Sequence, residues 1–261
     1  MFARSFMVLI VAMPLAQAGG QKTGPDAKAL VERQVTDWKG QGFRINVIDE
    51  KYVRDVFPGH TFVAVHFPLY PVARVAPAPM QSQNLFAVSK DGKIQHLPDS
   101  KKLEAFFKTT LKTQLNQDKT VRTWLRLRME YVQDGYFTFK YPAKAVVTGP
   151  GSSLTLVTGV VEVVPMGGNM GTFKAVVRFG RADEFTGVTM EENKVRAGIR
   201  PRCQATLLLH KEKLVREIAE QDLLVMGSMA RGYLLEQRAR ASDELRREID
   251  RVWLRIVAEE R

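Results

Sequence analysis

Between residues 136 and 191, five short runs of β-branched and aromatic residues follow one another. They are broken by Gly149-Pro150-Gly151, Gly167-Gly168-Asn169 and Arg181-Ala182-Asp183. The runs cover 136–140, 145–148, 154–164, 172–179 and 185–191. Connections this short join strands antiparallel, because parallel pairing needs a crossover of a dozen or more residues. One face of such a sheet needs cover, and the preceding stretch supplies it. From Asp118 onward, Val121, Trp124, Leu125 and Tyr131 recur on one side of a helix. Residues 116–206 are therefore expected to form an α+β unit, a curved antiparallel sheet crossed by one helix.

A similar order precedes it over 19–115. Leu30, Val31, Val35 and Trp38 fall on one helical face within 25–39, opened by Pro25 and closed by Gly40. Phe43, Ile45 and Val47 alternate as in a strand, 49–57 suits a short helix, and 61–67 is a clear strand. Runs at 85–88 and 93–97 flank Asp91-Gly92, a hairpin signal. Asp99 then caps a helix whose Leu103, Phe106, Phe107 and Leu111 form a buried stripe. Residues 68–80 are proline-rich and apolar, which suits an extended cover for a sheet edge better than a central strand.

The tail, 207–261, reads as helical. Leu214-Val215-Arg216-Glu217-Ile218-Ala219 returns thirty-one residues later as Leu245-Arg246-Arg247-Glu248-Ile249-Asp250, and the same offset aligns Leu223 with Leu254 and Val225 with Ile256. A period near thirty with helical patterning marks stacked helices. With its Val-Arg pair, Gly227 and Gly232 at the turn and a leucine-bearing second helix, the segment 210–261 resembles a short HEAT-like, armadillo-type repeat. That resemblance implies a protein-contact role. Helix followed by meander in 118–192 resembles cystatin-like and nuclear-transport-factor-like topologies. The strand segment Thr155-Leu156-Val157-Thr158-Gly159 lacks the glutamine of a cystatin inhibitory hairpin, so protease inhibition is not implied. The expected class is α+β, with helix-plus-antiparallel-sheet units followed by a HEAT-like helical segment.

The first eighteen residues read as a secretory leader. Arg4 supplies the positive start, residues 7–16 an apolar stretch, and Ala16-Gln17-Ala18 a cleavage pattern. Ten residues rise about 15 Å as a helix, half of the roughly 30 Å of a bilayer core. Export to a periplasmic or extracellular space is expected. A lone Cys203 excludes an intramolecular disulfide framework, and burial suits an unpaired thiol in that setting.

Chemistry is sparse. His60 and His66 flank one strand about 20 Å apart, too far to share a metal. Ser152-Ser153 lacks a nucleophile elbow, and the glycines at 167–171 precede a strand, so they suit a hairpin better than a phosphate cradle. No catalytic, cofactor or metal motif emerges. Net charge is +11, with 15 basic and 10 acidic residues over 19–120, 11 and 7 over 121–200, and 12 and 11 over 201–261. Arg122, Arg126 and Arg128, with 194–202, are the densest basic stretches. A protein partner, an anionic envelope polymer or a lipid surface fits this charge, as does simple solubility; nucleic acid does not fit an exported chain.

The expectation is an exported, non-enzymatic interaction or scaffold module. Its contact residues would be Tyr233, Leu234, Arg238, Leu245, Ile249, Val252 and Trp253, because the stripe on the last helix must be covered by something. The alternative is a ligand-binding module or enzyme with a pocket between helix 118–132 and its sheet. Trp124, Tyr131, Phe139, Phe173 and Phe179 would line it, and Arg128 or Arg178 would meet an anionic ligand.

Overall fold

A computed structural model describes residues 26–36, 43–67, 80–111, 116–150, 154–200 and 204–260. The leader, residues 68–79, Ser152-Ser153 and Cys203 lie outside the described residues, and so do the expectations placed on them. The fold is α+β, with antiparallel sheets and a C-terminal helical segment.

The first sheet runs in sequence order, β1 (Arg44–Ile48), β2 (His60–His66), β3 (Gln83–Ser89) and β4 (Ile94–Leu97), every pair antiparallel. Its two faces serve different cores. Val63, Val65, Phe86 and Val88 pack with Val31 and Val35 of α1 (Ala27–Thr36), while Phe62, Ala64, Leu85 and Ala87 face the other way. Cover on both faces explains why the centre of β2 is a continuous apolar run rather than an alternating one.

Below that second face lie α2 (Lys51–Val56), α3 (Ser100–Thr110) and α4 (Gln117–Met129). Asp99 caps α3 by accepting from the Lys102 amide at 2.8 Å. The cap of α4 is Asn116, which accepts from Lys119 at 2.9 Å, rather than the expected start at Asp118. The Asp118 carboxylate instead accepts from the Ala145 amide at 2.6 Å, tying the helix to the chain entering the second sheet.

That sheet contains β5 (Phe139–Lys140), β6 (Val146–Pro150), β7 (Thr155–Val163), β8 (Thr172–Phe179) and β9 (Phe185–Asn193). Strands β7, β8 and β9 form an antiparallel meander, and β5 and β6 both pair with β7. Only two residues of the expected 136–140 strand pair as β5. The inward side chains Val157, Val161, Phe173, Val177 and Phe179 meet α4 from below, and Phe62, Leu85 and Leu97 belong to the same core. The two expected α+β units therefore share one core. Helix α4 lies between two sheets, which buries Thr120, Val121, Thr123, Trp124, Leu125 and Leu127 around most of its circumference.

Close approach of α4 to β7 is licensed by Gly159, where a Cβ would stand 2.5 Å from Leu125 Cδ1 and 2.8 Å from Val121 Cγ1. Gly159→Val should therefore lose about 2 kcal/mol or more, because a branched side chain must push the helix off the sheet. Chemical denaturation measures it; an unchanged midpoint would mean that the helix shifts freely.

The tail forms α5 (Gln204–Leu207), α6 (Lys213–Met226), a 3-10 turn at Gly227–Ala230, α7 (Arg231–Arg240) and α8 (Asp243–Glu259). They enclose their own core of Ala205, Leu223, Met226, Leu234, Ile249 and Val252. The thirty-one-residue correspondence does not survive in burial. Ile218 is 53% exposed and its counterpart Ile249 is 1%; Leu223 is 0% exposed and Leu254 is 69%. The buried faces align instead at an offset of thirty, Ala219 with Ile249 and Met226 with Ile256. One residue is about 100° of helix rotation, so the matched letters occupy different sides of α6 and α8.

Candidate functional site

The carboxyl end of α4 carries a cluster of largely buried charges. Arg126 and Glu130 sit one turn apart and pair directly, as the i,i+4 spacing allows. Arg126 Nε also donates to Glu50 Oε1 at 2.5 Å, just before α2. From β2, His66 Nε2 lies 2.8 Å from Glu130 Oε2. Burial alone would raise the Glu130 carboxyl, yet the His66 hydrogen bond and the Arg126 charge prevail and hold its pKa below the ordinary carboxylate value. Burial opposes the Arg126 charge as well, and the Glu130 carboxylate overrides it, so that pKa is raised. Tyr141 is pushed upward, chiefly by burial. A cleft of about 260 Å³ opens beside this network, with Met129, Phe137, Phe139 and Tyr141 along its apolar side.

A second polar cluster joins the body to the tail. Arg200 Nε donates to Asp134 Oδ2 at 2.6 Å, and its Nη1 donates to Asn169 Oδ1 at 2.6 Å. Asn169 Nδ2 donates to the Tyr136 carbonyl at 3.0 Å, and Asn169 Oδ1 also accepts from Gly198 N. The glycines flanking Asn169 thus form a tight turn, with Gly167 and Gly168 at positive φ and Gly167 against Met226 of the tail. The sequence expectation of a turn there, rather than a phosphate cradle, agrees with the strand that follows.

A third feature lies on the tail, a groove of about 260 Å³ between α7 and α8. Leu234, Leu235, Ile249 and Trp253 form its apolar lining, and Arg231, Arg238 and Asp250 form its polar edge. Arg238 makes two hydrogen bonds to Asp250, at 2.7 and 3.0 Å. Arg231 is exposed and has no ion-pair partner among the described residues.

The expected contact residues divide accordingly. Tyr233, Leu234, Ile249 and Val252 are buried among the tail helices, so the stripe on the last helix, which the sequence required something to cover, is covered within the chain. Leu245 and Trp253 are partly buried against the same core, and Arg238 is exposed. Four of the seven, Leu234, Arg238, Ile249 and Trp253, nevertheless meet at the groove.

The alternative pocket is corrected. Trp124, Phe173 and Phe179 are fully buried and pack the space between α4 and its sheet. Tyr131 donates to the Leu97 carbonyl at 2.8 Å. Arg128 pairs with Glu191 at 3.1 Å, and its guanidinium lies 5.2 Å from the Phe173 ring centre. Arg178, on the opposite face of β8, donates to Thr186 Oγ1 at 3.0 Å. Phe139 of that set borders the cleft at the end of α4, and Trp124 borders a smaller one between α3 and β9. The basic residues of α4 are each matched by an acid, Arg122 by Asp118, Arg126 by Glu50 and Glu130, and Arg128 by Glu191.

Sequence reasoning passed over Glu50, Glu130, Asp134 and Asn169. The Arg126–Glu130 pair was open to it through the i,i+4 spacing; the His66 contact, 64 residues away in the chain, had no local signal. Among the described residues no group of three or more histidine, cysteine, aspartate or glutamate side chains is placed to hold a metal ion, and no helix is long and apolar enough to cross a membrane. No family model, curated protein or solved structure matches this chain.

Proposed function

We propose that this protein is an exported, non-enzymatic binding module whose helical tail receives an amphipathic segment of a protein partner in the groove between α7 and α8. The observation that carries the reading is Leu235, 57% exposed beside the half-buried Trp253 and the exposed Arg231. An aromatic and several leucine-type side chains with a charged edge make a typical anchor site, where a few residues supply most of the binding energy. The unmatched Arg231 charge and the basic character of the whole chain select a segment with acidic residues next to its apolar anchors. The filled core between α4 and the second sheet supports a scaffold over a deep-pocket protein.

Selection of displayed helical peptides on the full-length chain tests it. Enriched peptides should carry apolar residues at helical spacing flanked by Asp or Glu. Leu235→Arg should weaken them roughly tenfold or more without lowering the melting temperature, since Leu235 points to solvent. Failure to enrich any peptide sensitive to Leu235→Arg overturns the reading.

A further inference from the structure

The cleft at the end of α4 is separate from the tail groove, and its chemistry points to a different class of ligand. Its polar floor is internally neutralised. Glu50 and Glu130 present two carboxylates to the single Arg126 guanidinium, with the His66 imidazole behind Glu130. The net charge is negative or zero in either state of the imidazole, so an anion gains nothing there. A cation would find the aromatic faces already taken. Arg126 lies 5.7 Å from the Tyr141 ring centre and Arg200 lies 5.0 Å from that of Phe137, so the rings already carry guanidiniums and a third positive charge would meet both.

What remains suits a neutral ligand rich in hydroxyls. Arg126 uses Nε and Nη1 on the two glutamates, and neither its Nη2 nor the Tyr141 hydroxyl makes a hydrogen bond among the described residues. Neither atom is among the buried unsatisfied groups, so both keep contact with solvent. A donor and a donor–acceptor are thus displayed beside an apolar wall. Phe137 and Phe139 stack with centroids 5.7 Å apart at 25°, and Phe139 meets Tyr141 edge-on at 6.4 Å. Such rings present carbon-rich faces to the C–H groups of a saturated ring, while its hydroxyls exchange hydrogen bonds with fixed polar groups. The arginine is held in place by two carboxylates before any ligand arrives, which lowers the ordering cost of binding.

We propose that this cleft, about 260 Å³ in volume, binds one sugar ring of a neutral glycan, with Phe139 and Tyr141 against the ring and Arg126 Nη2 and the Tyr141 hydroxyl on its hydroxyl groups. The role proposed is binding; Glu130 is tied to His66 and Arg126 and serves to hold the arginine in place.

The test is two-dimensional NMR of the full chain titrated separately with cellohexaose, mannohexaose, chitohexaose, inorganic phosphate and tetramethylammonium. At least one of the oligosaccharides should saturate, with the largest shifts at residues 133–141. Tyr141→Phe, which keeps the ring, should weaken it roughly tenfold, the cost of a hydrogen bond whose partner is left unmatched. Thr138→Trp, at an exposed position on the edge of the cleft, should abolish it by filling the space. Both variants should keep the wild-type melting temperature; if Thr138→Trp misfolds, Tyr141→Phe alone decides. The proposal falls if no oligosaccharide produces shifts in the cleft by about 10 mM. It also falls if Tyr141→Phe leaves binding unchanged, or if phosphate or tetramethylammonium binds there more tightly than the sugars.

Discussion

Arg200→Met should lower stability by about 3–5 kcal/mol, the range seen when one partner of a buried ion pair is removed. The side chains of Arg200 and Asp134 are both almost fully buried, at 5% and 12% exposure, and each is the other's only ion-pair partner among the described residues. Methionine keeps much of the volume but leaves the Asp134 carboxylate uncompensated and frees Asn169 Oδ1 of one donor. Asn169 anchors the turn that meets the tail at Met226 and Met229, so the loss should reach the helical segment. The double replacement Arg200→Met with Asp134→Leu should recover part of the loss, because a matched apolar pair removes the stranded charge. Denaturant titration of the four proteins measures the coupling. If Arg200→Met alone costs less than about 1 kcal/mol, water reaches the cluster and its buried description is wrong.

Glu130→Gln is the second large effect, expected at about 3 kcal/mol near neutral pH. The amide can still accept from one neighbour, but its NH2 group would face donors on Arg126, and His66 would lose a charged partner. The pH dependence follows from the sign of the shift. The folded-state pKa of Glu130 lies below its ordinary value of 4.5. The carboxylate therefore contributes its full stabilisation above the unfolded value and loses it as pH falls through the lower folded value. Wild type should weaken in acid more steeply than Glu130→Gln, and the gap between them should narrow below pH 4.5. Melting temperature against pH for both proteins checks this. Parallel curves would mean that Glu130 does not carry the linkage. The other groups around it, Glu50, His66, Arg126 and Tyr141, keep their side chains in the variant but lose the Glu130 charge, so the part of the difference assigned to this carboxyl is the acid limb below pH 4.5.

Most helices and strands were legible because their signals are local. The stripe Leu103, Phe106 and Phe107 follows an Asp99 cap, and the strands 154–164 and 172–179 stand between turn residues. The start of α4 was misplaced by a competition between two adjacent polar residues: Asn116 takes the cap, and Asp118 is drawn to the Ala145 amide 27 residues on. The tail was legible as helix but not as register. A repeated apolar spacing fits two faces of a helix, and only the position of α6 against α8 selects which face is buried.

The candidate sites were less legible for the same reason. Local spacing reveals Arg126–Glu130, whereas His66, Glu50 and the aromatic residues of 137–141 reach them from three other segments. Two sets of residues expected to meet a partner or a ligand are buried: Tyr233 and Val252 in the tail, and Trp124, Phe173 and Phe179 under α4. Apolar patterning states that a side chain needs cover without stating which neighbour supplies it.

By its own order of residues the chain determined an α+β protein with antiparallel sheets and a helical tail, since hydrogen-bonded periodicity and turn chemistry act within a few residues. The tertiary arrangement alone decided that two sheets share α4, that the basic residues of that helix are matched by acids, and where clefts remain open. Those outcomes depend on contacts between segments tens of residues apart, and on Coulomb and packing energies that exist only once the segments have met.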